Sequence, residues 1–188
     1  SLFADGRTDT FDDGYFPTKG VNAGVSYSWT FAGLPGKINS FHTIQADAEV
    51  VVPIGGRFAF IPSFNARALL GENVPVAYFN AVGGSLAGRY VDQQIPFIGI
   101  NKLAAMKNIL TVFRADFRVK VARNHYIDAI ANYARDCDAF VDYAVGPGHF
   151  GAGLEYLYDT ILGPLSANVH WSSFTKSAGF YISAGYNF

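Results

Sequence analysis

The sequence predicts an all-β fold, an antiparallel transmembrane β-barrel, of which the chain contains at least eight strands. Of its 188 residues, 50% are apolar and only 15% are charged, against about 25% charged in an ordinary soluble domain. No apolar run approaches the roughly 20 residues that a membrane-spanning helix needs. Instead, segments of alternating polar and apolar side chains follow one another, as in barrel strands.

The last of these segments shows the alternation most clearly. In residues 178–188, one face carries Phe180, Ile182, Ala184, Tyr186 and Phe188. The other face carries Tyr181 and small or amide side chains, so one side suits lipid and the other a wet lumen. The same pattern predicts strands at 20–32, 41–53, 57–70, 108–121, 124–135, 148–158, 164–172 and 178–188, with 2–11 and 76–84 as two further candidates.

Charged side chains fall on one side of the predicted strands. Between 108 and 121, Arg114, Asp116 and Arg118 share a face, and Phe113 and Phe117 share the opposite one. A soluble β-sandwich also alternates, but its outward face would be polar and its inward face apolar. Here the polar face is rich in Gly and Ser, and the other face carries Trp, Tyr and Phe towards the strand ends. This distribution favours the membrane barrel.

The connections between these strands alternate in length. Residues 17–20, 53–56 and 122–124 form short turns, whereas 71–107 and 136–147 are long. In outer-membrane barrels the short turns are periplasmic and the long loops extracellular, which predicts a bacterial outer-membrane location. Residues 1–188 then form one barrel domain with a long extracellular loop at 71–107, and loops of that length are usually functional.

The composition excludes several classes of function. The net charge of −1 offers no basic field to attract nucleic acid. Cys137 is the only cysteine, and the four histidines lack ligand spacing, so we expect no metal and no cofactor. The chain begins at Ser1 without a charged-then-apolar leader, which predicts a mature or truncated product.

Three segments resemble a known family. The tract Tyr15-Phe16-Pro17-Thr18-Lys19-Gly20 resembles the strand-start motif of the surface-antigen barrel superfamily, which includes Bam-type assembly factors and two-partner secretion transporters. Residues 83–101 and the ending at 163–166 and 179–188 resemble more closely the C-terminal barrel of patatin-like phospholipases. The resemblance implies a sixteen-stranded barrel whose second half is this chain, with the patatin hydrolase domain upstream.

The resemblance also implies roles for individual residues. In that superfamily, a long loop five strands from the end folds into the lumen and places an arginine against an acid. Arg89, in a Gly88-Arg89-Tyr90 tip that departs from the usual Val-Arg-Gly-Tyr pattern, is the candidate, and either Asp116 or Asp128 could be its partner. The alternative is a solvated arginine on a loop surface. Tyr186 and Phe188 resemble the insertion signal read by the barrel-assembly machinery, or they are lipid-facing girdle residues.

Catalysis by this chain is not expected. The nearest match to a Gly-x-Ser-x-Gly nucleophile motif, residues 83–87, ends in Ala. Asn168, His170 and Ser172 have the spacing of a barrel phospholipase, but their parity places them in the lumen and not against lipid, which favours a hydrogen-bond cluster.

The predicted function is therefore an outer-membrane barrel that anchors a patatin-like hydrolase domain, with or without translocating it. The expected partners are outer-membrane lipid, the barrel-assembly machinery during insertion and the upstream hydrolase domain. A self-contained small barrel, porin-like or adhesive, remains an alternative, as do an assembly or secretion barrel and a barrel phospholipase. An eight-stranded barrel is filled by side chains, which fits poorly with the small lumenal residues and the long loop.

Overall fold

The computed structural model describes residues 1–34, 37–72, 74–84, 91–161 and 163–185, with the backbone alone at 32–34 and 37–39. Within these ranges the regular structure is β, apart from two single turns of 3-10 helix at Val76–Tyr78 and Phe140–Asp142. No helix in the described ranges is both long and apolar enough to cross a bilayer.

Twelve strands occur in the described residues. In chain order they are β1 (Leu2–Asp9), β2 (Gly20–Leu34), β3 (Lys37–Pro53), β4 (Phe58–Gly71), β5 (Asn80–Val82), β6 (Gln94–Ile95), β7 (Ala104–Met106), β8 (Ile109–Ala122), β9 (His125–Cys137), β10 (Gly148–Thr160), β11 (Gly163–Ser172) and β12 (Ala178–Ala184). The eight predicted strands are confirmed as β2–β4 and β8–β12, and the candidate at 2–11 is β1.

Nine of these strands form one antiparallel sheet in the order β1-β2-β3-β4-β8-β9-β10-β11-β12. Neighbours in the sheet are also neighbours along the chain, except that β4 pairs with β8 across the 72–108 segment. Among the described residues the sheet is not closed, because β1 and β12 each pair on one side only. Five strands follow the long segment, as predicted.

Residues 76–84 do not form a barrel strand, so this candidate was wrong. Pro75 precedes the 3-10 turn at Val76–Tyr78, and Gly83 and Gly84 both have positive φ, which ends the extended backbone after Val82. Only β5 remains extended. It pairs with β6 in parallel and with β7 antiparallel, forming a separate three-stranded sheet.

The two faces of the nine-stranded sheet differ as the alternation predicts. We call the face that contacts the 72–108 segment the inner face and the opposite one the outer face. Apolar residues of the outer face, including Phe113, Phe180 and Ile182, are exposed. Inner-face polar residues such as Asp128 and Asn132 are buried. A sheet in water would expose its polar face. The exposed apolar outer face therefore fits the hydrocarbon region of a lipid bilayer.

Candidate functional site

The segment between β4 and β8, residues 72–108, lies against the inner face and carries its own apolar core. We call it the β4–β8 connection. Its side chains Val82, Phe97 and Ile100 pack with Leu110 and Val112 of β8. The members of this cluster are all buried, and they are completed by Ile95, Met106 and Ala134. The connection is therefore fixed on the sheet by apolar packing as well as by hydrogen bonds.

Asn80 holds the two ends of the β4–β8 connection together. Its Nδ2 donates to the main-chain carbonyls of Lys107 and Asn108 at 2.7 and 2.9 Å. Its Oδ1 accepts from Arg67 Nη1 of β4 at 2.6 Å, and the same nitrogen donates to the Tyr78 carbonyl. Because Asn80 is fully buried, losing these partners would leave several polar groups unpaired.

Residues 97–100 are anchored on the inner face of β9, β10 and β11. Asn132 of β9 accepts a bond from the Ile98 N–H at 2.9 Å. The Ser172 hydroxyl of β11 donates to the Gly99 carbonyl at 3.0 Å. A Cβ on Gly151 of β10 would collide with the Ile98 carbonyl oxygen. A glycine here lets the backbone of the connection approach the sheet closely.

Two ion pairs lie on the inner face of β8 and β9, nearer the turn that joins these two strands. Arg114 binds the Asp116 carboxylate through Nε and Nη2, both at 2.7 Å, and Arg118 binds Asp128 with Nη2 at 2.8 Å. All four side chains are largely buried. Such bidentate pairing offsets the cost of removing charge from water.

These pairs bear on the predicted loop-docking residues. Asp116 and Asp128 lie on the inner face, as their parity predicts, but the structure gives each of them an arginine from the sheet itself. Arg89 falls outside the described residues, so its docking stays a prediction. Tyr186 and Phe188, the predicted insertion signal, also fall outside them.

A polar cavity of about 420 Å³ separates the connection from strands β1–β4 and β8. Asp92 and Gln93 of the connection face Asp47, Glu49 and Arg114 of the sheet across it. Its charges have both signs, and Arg7 pairs with Asp47 at 2.9 Å. The cavity therefore suits water and mobile ions without clear selectivity. In the described residues no group of His, Cys, Asp or Glu has the geometry of a metal site.

The Asn168, His170 and Ser172 cluster lies on the inner face, as predicted. Asn168 Oδ1 is 2.7 Å from His170 Nδ1, whereas the Ser172 hydroxyl binds the Gly99 carbonyl. The serine therefore anchors the β4–β8 connection and is not paired with the histidine as a nucleophile would be. This contact gives Ser172 a structural role.

The turn between β1 and β2, residues 10–19, lies at the end of the strands opposite the β4–β8 connection. It folds onto the inner face, which the sequence did not predict. The Phe16 ring is buried and stacks on Tyr126 of β9, with centroids 4.8 Å apart, and the Arg118 guanidinium lies over it. Asp13 accepts from the N–H groups of Tyr15 and Phe16. The paired acids before the Tyr-Phe-Pro tract were a local signal for such a capped turn.

Asp12 fixes the other half of this turn. Its carboxylate accepts from the Thr18 hydroxyl and the Thr18 N–H. These bonds, the Thr18 hydroxyl first, lower the pKa of Asp12 to about 2. The carboxylate is therefore ionised at neutral pH and holds the turn that carries Phe16.

Comparison with known proteins agrees with this architecture. The sequence profile of the OMP85 superfamily matches residues 1–188, the whole chain. The chain belongs to the OMP85 superfamily. Membership implies a bacterial outer-membrane β-barrel and confirms the barrel superfamily inferred from residues 15–20. Barrels of this superfamily are generally non-enzymatic. No curated protein matches the chain.

Proposed function

We propose that this OMP85-superfamily chain is the C-terminal barrel part of an outer-membrane protein that anchors an N-terminal patatin-like hydrolase domain. The barrel contributes no catalysis of its own. Its long connections face the cell exterior and its short turns the periplasm. Two parts of the chain, residues 83–101 and the C-terminal residues 179–188, resemble the barrels of patatin-like phospholipases. This resemblance supports the assignment of a patatin-like domain upstream.

The observation that carries an anchoring role is the fixed β4–β8 connection. It is held on the sheet by buried hydrogen bonds with Arg67, Asn132 and Ser172 and by a buried apolar cluster. A barrel whose lumen is occupied this way does not serve as an open pore, which disfavours the porin-like alternative. Passage of a protein domain through it would require the connection to leave the inner face.

The unpaired sides of β1 and β12 support additional strands in the intact barrel. Among the described residues β1 pairs with β2 alone and β12 with β11 alone, so main-chain N–H and C=O groups lie along both edges of the sheet. In lipid such groups cost several kcal/mol each, roughly, unless another strand binds them. Upstream strands that join β1 to β12 would close the barrel, in line with the sixteen strands that the family resemblance implies.

Arg89, Asp116 and Asp128 remain our proposed docking residues for the tip of the connection. Because Asp116 and Asp128 already bind Arg114 and Arg118, a further arginine would share a carboxylate and would not form an isolated pair. Tyr186 and Phe188 remain the proposed insertion signal for the barrel-assembly machinery.

Two measurements on the full-length protein test the anchoring role. We expect the upstream sequence to contain a Gly-x-Ser-x-Gly motif, and phospholipase activity to fractionate with outer membranes. Replacing the motif serine with Ala should abolish activity without changing the amount of barrel in the membrane. Activity that stays membrane-bound after deletion of residues 1–188 would contradict anchoring by this chain.

An assembly or secretion barrel is the second candidate, because the 15–20 tract also resembles those proteins. Polypeptide-transport-associated repeats upstream, with no hydrolase motif, would favour it. Cells lacking the protein would then lose a secreted or inserted substrate, and not phospholipase activity.

A further inference from the structure

The segment between β9 and β10, residues 138–147, turns towards the outer face. We call it the β9–β10 connection. Its Tyr143 hydroxyl is hydrogen bonded to Thr111 Oγ1 at 2.6 Å. The Tyr143 side chain also packs on a cluster formed by Ala68, Ile109 and Cys137. Thr111, Ile109 and Ala68 share strand parity with exposed Phe113 and with Phe64, so the connection covers part of the lipid-facing wall.

Arg135 of β9 also binds this connection. It pairs across the sheet with Thr111 and therefore lies on the outer face. Its Nη1 donates to the main-chain carbonyls of Tyr143 and Ala144, both at 3.1 Å. Its guanidinium lies beside the rings of Tyr133 and Tyr143. A charged group on a lipid-facing surface is costly. The two carbonyls and the two rings shield the Arg135 guanidinium, and these contacts hold the connection against the outer face.

Three apolar side chains of this connection are nevertheless exposed. Phe140 is 62% exposed, Val141 87% and Val145 84%. Isolated exposed hydrophobic residues are common, but these three flank Tyr143 within a short segment. They lie in the connection that Tyr143 and Arg135 hold against the outer face, and Tyr133, whose ring the Arg135 guanidinium covers, is itself exposed on that face. The lipid that covers the outer face therefore adjoins this connection.

The charges of the connection set its depth. Asp138 is paired with Lys107 at 3.2 Å, and Asp142 is exposed. An exposed carboxylate is excluded from the hydrocarbon. The connection therefore belongs at the boundary between headgroups and acyl chains, where apolar side chains insert and charged ones remain hydrated.

We propose that the β9–β10 connection binds the adjoining lipid leaflet and inserts Phe140, Val141 and Val145 at this boundary. On the proposed orientation this is the extracellular leaflet. The connection acts as a fixed collar that anchors one rim of the barrel at a set depth. The inference rests on the membrane barrel and is independent of the upstream hydrolase.

Three matched valine-to-cysteine variants of the full-length protein test the proposal in phosphatidylethanolamine–phosphatidylglycerol vesicles, with Cys137 kept in place because it is buried beneath Tyr143. Val141→Cys probes the connection. Val169→Cys, on the outer face of β11, is the lipid control, and Val76→Cys, 82% exposed in the β4–β8 connection, is the aqueous control. Each introduced cysteine carries an environment-sensitive fluorophore, which is quenched either by nitroxide-labelled lipids or by iodide in the buffer.

The expected result is quenching of the Val141 probe by nitroxides near the headgroup, with iodide quenching roughly threefold weaker than for the Val76 probe. The Val169 probe should respond to deeper nitroxides. If the Val141 probe behaves like the Val76 probe while the Val169 probe responds to lipid, the proposed lipid insertion of the connection is wrong, whereas the membrane barrel is still supported. If Val141 is shielded from both quenchers, a protein surface covers it and the lipid proposal fails. If Val169 is also insensitive to lipid, the membrane barrel itself is overturned.

Discussion

Two long connections begin at the same end of the strands in the nine-stranded sheet, and they fold onto opposite faces of it. The β4–β8 connection folds onto the inner face, where Asn132 and Ser172 bind its backbone. The β9–β10 connection folds onto the outer face, where Arg135 and Thr111 bind it. Both contain apolar residues, but the first buries Phe97 and Ile98, whereas the second leaves Phe140 and Val141 exposed.

The difference teaches that strand parity in the sheet decides where a connection goes. Asn132 and Arg135 lie on the same strand, an odd number of residues apart, and so point to opposite faces. Each presents polar atoms that a passing backbone can bind. In these two cases the hydrophobicity of a connection does not reveal its side, whereas the face of the strand residue that binds its backbone does.

The largest expected effect comes from pushing the β4–β8 connection off the inner face. In Gly151→Val, the side chain meets the Ile98 carbonyl and the Asn132 amide, and we expect a loss of about 3 kcal/mol. Externally added protease should then cut within residues 91–101, and single-channel conductance should rise. Gly6→Val is the control, because nothing lies within 4 Å of its Cβ. Equal protection of the two variants would contradict tight docking.

A smaller loss should follow when one hydrogen bond of that docking is removed. Asn132→Leu keeps the side-chain size but leaves the buried Ile98 N–H without its acceptor, at a cost of about 1–3 kcal/mol. Hydrogen exchange of the Ile98 amide should accelerate. Asn65→Leu, on the same face beside the cavity, should leave that amide protected. Unchanged exchange in Asn132→Leu would show that packing alone holds the connection.

The β9–β10 connection should be less sensitive to loss of a hydrogen bond, because its Tyr143 contact is only partly buried. We expect Tyr143→Phe and Thr111→Val each to cost about 1 kcal/mol, and the double variant to cost about the same as either alone. The temperature of the heat-induced mobility shift in detergent gels measures these losses. Additive losses would mean that the two hydroxyl groups do not interact.

The smallest effect extends the comparison to the turn at 10–19, which a carboxylate fixes. Asp12 has a pKa of about 2 in the folded turn, below the ordinary aspartate pKa of 3.8. Its stabilisation is therefore complete above about pH 4 and is lost as the pH falls towards 2. The Thr18 amide chemical shift should follow this titration and remain flat in Asp12→Asn. In Thr18→Val the pKa of Asp12 should rise. A midpoint near 4 in the unmodified protein would contradict the capped turn.

Much of the sheet could be predicted from the sequence because alternation with a period of two reports directly which face each residue occupies. Phe180 and Ile182 lie on the outer face as predicted, and Asp116 and Asp128 on the inner face. The eight strands were found for the same reason. The candidate strand at 76–84 failed because a short apolar run does not distinguish a barrel strand from the buried core of a connection.

The sequence by itself determined the fold class, the strands and the division of each strand into a lipid face and a lumen face. Only the tertiary structure decided which arginine binds Asp116 and Asp128, that Phe16 stacks on Tyr126, and to which side each connection turns. The physical reason is that alternation is a local property, which reports the face of a residue and not its partner. It places Arg114 and Arg118 on one face with Asp116 and so does not select between them, although Arg114 is only two residues away. The stack of Phe16 on Tyr126 and the docking of the two connections join segments far apart in the chain, which meet only when the sheet has formed.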